Sequence, residues 1–127
     1  MASTELVSEL IEAGKTLTSA LDQARIKVSS AFWFFDTDAS EWRLIVAMPL
    51  VEDRGPAQAD EEIRKALQAG SVQGIFLRQI AAVGPGDELV SLLRKAIPTG
   101  PGIKSIRFTR NAIDNVLIED AYIYRST

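Results

Sequence analysis

Residues 28–49 read VSSAFWFFDTDASEWRLIVAMP. Val28–Phe35 and Trp42–Met48 hold both tryptophans and three of the five phenylalanines, separated by Asp36-Thr37-Asp38-Ala39-Ser40-Glu41. Aromatic and β-branched residues fit a pleated, half-buried surface. Asp, Thr and Ser offer side-chain hydrogen bonds to nearby backbone and so favour a turn. The stretch therefore predicts a β-hairpin. Neither strand alternates apolar with polar residues, and strands that are apolar on both faces are covered on both faces. The hairpin is expected inside a sheet with a layer above and a layer below.

Working outward, Leu6, Leu10, Ala13, Leu17, Leu21 and Ala24 recur at helical spacing and predict a helix over Thr4–Arg25, capped by Ser3 or Thr4. Gly14 is expected to weaken that helix by about 1 kcal/mol relative to Ala. After the hairpin, Leu50–Pro56 reads as a polar loop, and Ala57–Ala69 as a surface helix ending at Gly70. Gly74–Val83 is the third predicted strand. Asp87 caps a helix to about Ile97, with Leu89, Leu92, Leu93, Ala96 and Ile97 as its apolar stripe. The last quarter predicts a second hairpin: Ile103–Thr109, a turn at Arg110–Asn115, and Val116–Arg125. The fold class is α+β, a single domain over 1–127. It has one mixed five-stranded sheet packed by three helices, in the order α-β-β-α-β-α-β-β.

Composition narrows the chemistry. Cysteine and histidine are absent, which removes disulfides, thiolate and imidazole catalysis, and the usual zinc ligands. No cofactor motif is present, and no metal site is expected. The lack of cysteine fits a reducing cytoplasm. No run approaches the roughly 20 apolar residues of a membrane span, and the first residues lack the pattern of a signal peptide. The net charge is −3; residues 1–70 carry 12 acidic and 7 basic side chains, residues 71–127 carry 5 and 7. An acidic chain without a basic run is not expected to bind nucleic acid strongly in general.

Several motifs fall short. Asp36-Thr37-Asp38 resembles the start of a calcium loop, but Glu41 stands where Gly is needed. Gly84-Pro85-Gly86 and Gly100-Pro101-Gly102 lack the spacing of a phosphate cradle. Tyr122 and Tyr124 share a strand face but lack the surrounding pattern of an RNA-stacking sheet. The most unusual feature is Glu119-Asp120 inside an otherwise apolar strand. Adjacent strand residues point to opposite faces, and a buried carboxylate must be paired, hydrogen-bonded or protonated. Arg43, Arg78 and Arg107, each inside another predicted strand, are the expected ion-pair partners of Glu119 and Asp120.

Two functional readings follow. The first is a small soluble non-catalytic interaction or accessory protein acting by protein–protein recognition. Its partner is another protein or a second copy, and Tyr122, Tyr124 and Arg125 form the interface. The alternative is a Mg²⁺-dependent phosphodiesterase or nuclease that gathers Asp36, Asp38, Asp114, Glu119 and Asp120 around the ion.

Overall fold

The computed structural model describes residues 6–127. Its elements are α1 (Ser8–Gln23), β1 (Ser30–Asp36), β2 (Glu41–Ala47), α2 (Pro49–Arg54), α3 (Pro56–Ala69), a 3₁₀ turn (Leu77–Gln79), β3 (Ile80–Val83), α4 (Glu88–Ala96), β4 (Ile106–Ile113) and β5 (Val116–Ser126). The expected cap at Ser3 or Thr4 lies outside the described residues. The five strands form one sheet in the order β3-β2-β1-β5-β4. All pairs are antiparallel except β2 and β3, which α2 and α3 join by a crossover. The expected class and element order stand, with a fourth helix added.

The hairpin forms where the aromatic density places it. Trp33 pairs with Leu44 and Phe35 with Trp42. Asp36 Oδ1 accepts the backbone N–H groups of Asp38 (3.0 Å) and Ala39 (3.3 Å), the side-chain-to-backbone bonding that closes such turns. Both faces are covered. Leu17 and Leu21 of α1 and Ile63 of α3 pack with Trp33, Leu44, Val46 and Tyr124 on one side. Val90 and Leu93 of α4 pack with Phe32, Ile45, Ile118 and Ile123 on the other. The buried seam of α4 runs through Val90 and Leu93, leaving Leu89 and Leu92 only partly covered.

Three local expectations change. The loop at Leu50–Pro56 contains the short helix α2, which starts with Pro at its first turn and stops at Gly55, φ +90°. Of the strand expected over Gly74–Val83, only Ile80–Val83 pairs. Gly74 sits at φ +84°, and Gln79 bonds back to Phe76 through both its backbone N–H (2.9 Å) and its Oε1 (2.7 Å). Such local bonds compete with a ladder. In the second hairpin the strand continues through the supposed turn to Ile113. The connection is only Asp114-Asn115, with φ of 50° and 68°, the two left-handed residues of a tight hairpin turn.

β5 is an inner strand, and two of its side chains fasten α1. Tyr124 Oη donates to the Ile11 carbonyl (2.5 Å) and accepts the Trp33 indole N–H (3.0 Å), which also reaches the Leu10 carbonyl (3.1 Å). Arg125 donates two bonds to the Asp22 carboxylate (3.0 and 2.7 Å) and further bonds to the carbonyls of Val28 (3.1 Å) and Gly102 (3.4 Å). Both residues are buried, Tyr124 at 1% and Arg125 at 5% exposure. This corrects the expected interface: its two C-terminal members lie inside the domain, because β1 and β4 flank their strand and α1 covers them.

Burial is the main reason the Tyr124 hydroxyl is pushed well above the ordinary tyrosine range. Ionisation of the unfolded chain begins near pH 10, while the folded protein keeps its proton. The stability this group contributes is thus whole below pH 10 and drains away as pH rises toward the folded value. Thermal unfolding of wild type and Tyr124→Phe from pH 8 to 11 should show the wild type losing stability faster above pH 10. Parallel curves would remove the linkage.

Candidate functional site

The candidate carboxylates are dispersed into separate pairs. Arg107 grips Asp120 with two bonds of 2.6 Å. Arg110 reaches Glu119 at 3.3 Å, and Lys95 reaches Asp114 at 2.8 Å. Arg43 lies 2.7 Å from Glu41 and 3.6 Å from Asp36. Asp38 is exposed at the tip of the first turn. Among the described residues, no group of three or more acidic side chains is placed to hold one metal ion. The set Asp36, Asp38, Asp114, Glu119 and Asp120 therefore does not assemble. At these exposures each ion pair contributes about 0–1 kcal/mol; they orient side chains more than they stabilise the fold.

The pairing also differs in detail from expectation. Of Arg43, Arg78 and Arg107, only Arg107 meets a carboxylate of β5. Glu119 takes Arg110, a residue the sequence places in a turn. Arg78 lies on the 3₁₀ turn, not on a strand, with its guanidinium carbon 4.8 Å from the centre of the Phe76 ring. Strict alternation is interrupted near the open end of β5. Ile118 joins Ala121 and Ile123 in the same core, although strict alternation would separate Ile118 from Ala121. Arg110, facing this point from β4, sits at φ 43°.

Two surfaces gather side chains of interest that are not consumed by the fold. The first is the open end of the β4–β5 hairpin. Pairing of β5 with β1 stops at Ala121, so the last turns of the hairpin project as a two-stranded finger. Val116 is 40% and Leu117 64% exposed there. A shallow notch of about 280 Å³ lies between the finger and α4, lined by Asp87, Glu88, Leu89, Leu92 and Val116. The second surface is a cleft of about 570 Å³ on the α1 side, whose walls include Leu10, Trp42, Arg43, Arg78 and Gln79. Trp42 stacks at a tilt on Phe35, ring centres 5.4 Å apart, and the Arg107 guanidinium carbon lies 5.7 Å from the Trp42 ring centre.

Sequence reasoning passed over Val116, Leu117 and Phe76. The signal for the first two was the dipeptide Asp114-Asn115: read as a two-residue turn, it puts Val116 and Leu117 at the tip. For Phe76 it was Gly74, which detaches the segment from the sheet. No family model, curated protein or solved structure matches this chain.

Proposed function

We propose that this chain is a small non-catalytic interaction protein of the cytoplasm that acts by protein–protein recognition, with the projecting end of the β4–β5 hairpin as its recognition surface. The carrying observation is the exposure of Val116 and Leu117 on a finger that no other strand supports. Two adjacent large aliphatic side chains beside a partly apolar notch are more than scattered surface residues, and such patches mark interaction sites. The absence of cysteine supports the compartment. Pairing of Arg107, Arg110 and Lys95 with acids leaves little concentrated positive charge for nucleic acid.

A second copy is the first partner to test. A two-fold arrangement would let the exposed Val116 and Leu117 of each copy cover those of the other. Light scattering at tens of micromolar should show a dimer for wild type and a monomer for Leu117→Asp with an unchanged circular dichroism spectrum. A monomeric wild type removes self-recognition. Affinity capture from the native cell then decides the wider reading: equal capture by wild type and Leu117→Asp would sink the hairpin as the recognition surface.

A further inference from the structure

We infer that the cleft beside Trp42 binds a small organic oxyanion, a carboxylate or phosphate monoester on a compact apolar body, with Arg78 as the anchoring cation. The cleft is separate from the hairpin end and lies on the opposite face of the sheet. Its volume of about 570 Å³ falls in the range of ligand sites, about 300–1,000 Å³.

Charge accounting within the cleft selects Arg78. Arg43, which also lines the cleft, is already compensated by Glu41 and Asp36. Arg107, near the same indole, is compensated by Asp120. Among the described residues Arg78 has no carboxylate within ion-pair distance, and its only close partner is the Phe76 ring. A planar guanidinium laid on an aromatic ring keeps its fork of N–H donors available, and that fork matches the two oxygens of a carboxylate or phosphate.

The anchor is also held in place before any ligand arrives. Leu77–Gln79 is pinned by two bonds between Phe76 and Gln79, and the next residue, Ile80, pairs directly with Leu44 of β2. Gln79 Oε1 is occupied by the Phe76 N–H at 2.7 Å, so its side-chain amide can offer donors beside Arg78. Rigid placement of this kind lowers the ordering cost of binding. The apolar body has its own wall: Val7, Leu10 and Trp42 line the cleft. An inorganic ion would use the guanidinium and leave this wall wet.

The test is an amide-resolved NMR titration with benzoate, phenyl phosphate and inorganic phosphate at matched ionic strength. Benzoate or phenyl phosphate should give saturable shifts at Trp42, Arg78 and Gln79 at millimolar concentration. Arg78→Gln should weaken binding at least about tenfold, the least expected from losing a charge-assisted hydrogen bond. Arg54→Gln, at the end of α2 and so beyond the far end of β2 from Trp42, should change nothing. The relative affinity of the two aromatic ligands identifies the preferred anion. Inorganic phosphate binding as tightly as phenyl phosphate would overturn the apolar half of the inference. No saturable shift with either aromatic ligand, or undiminished binding in Arg78→Gln, would overturn all of it.

Discussion

Replacing Trp33 with Ala is expected to lower the free energy of unfolding by about 3–5 kcal/mol, the usual cost of emptying a buried aromatic site. Trp33 has no exposed surface and sits on the central strand, between Leu44 of β2 and Tyr122 of β5. Its indole N–H serves two acceptors, the Leu10 carbonyl and Tyr124 Oη. Truncation therefore opens a cavity and strips a donor from both groups. Against a total stability of about 5–15 kcal/mol for an ordinary domain, the variant will be marginal. Denaturant titration measures the change. A loss under about 1 kcal/mol would show that the site collapses without a void, contrary to the packing of interiors.

Gly14→Val is the second large effect, expected to destabilise by about 3 kcal/mol, at the top of the range for overpacking a tight interior. Helix propensity alone argues the other way, since leaving Gly for a side chain gains up to about 1 kcal/mol within a helix. The contacts decide the sign. A Cβ at Gly14 would come within 3.0 Å of both Tyr124 Oη and Trp33 Nε1. Both atoms are ring-borne, buried and hydrogen-bonded, so neither can swing aside as a lysine tip would. Chemical unfolding of Gly14→Ala and Gly14→Val would separate the two influences. A stabilised Ala variant would mean that α1 shifts outward at little cost.

The same glycine shows where the sequence was legible and where it was not. Periodicity found α1 and treated Gly14 as a local weakness. Its purpose lies 110 residues further along, at Tyr124, and no local pattern records that. The aromatic run at Val28–Phe35 was legible because apolarity on both faces requires a layer on both sides, and two cores are what the structure shows. α2 was missed because the six residues Pro49–Arg54 give too little periodicity to stand out from VEDRGP. The turn of the second hairpin was placed too early because Arg110, Asn111 and Asp114 all look like turn residues. Only the left-handed pair Asp114-Asn115 closes it.

The candidate site was less legible for a related reason. Alternation assigns a side chain to a face, yet it does not say which strands are neighbours. The predicted hairpin already put Arg107 beside the β5 acids; only the sheet order shows that β2, with Arg43, is not a neighbour of β5. Tyr124 and Arg125 look like interface residues on an edge strand and are core residues on an inner one. The exposed residues that replace them follow from how far the hairpin outruns β1, a length mismatch that strand patterns do not carry.

The fastening of α1 by β5 has a kinetic consequence. The bonds from Tyr124 to Ile11 and from Arg125 to Asp22 join residues 113 and 103 apart. Each doubling of a closed loop adds only about 0.6 kcal/mol of entropy cost, so long reach does little harm to the finished native state. It does harm the climb toward it, because the chain must surrender that freedom before these contacts return anything. The β1–β2 hairpin closes over four residues and can form early. The first helix can meet β1 early, through the Trp33 bond to the Leu10 carbonyl, but its bonds to β5 must wait for a strand about a hundred residues away. The locking of α1 onto β5 is thus expected among the late steps of folding.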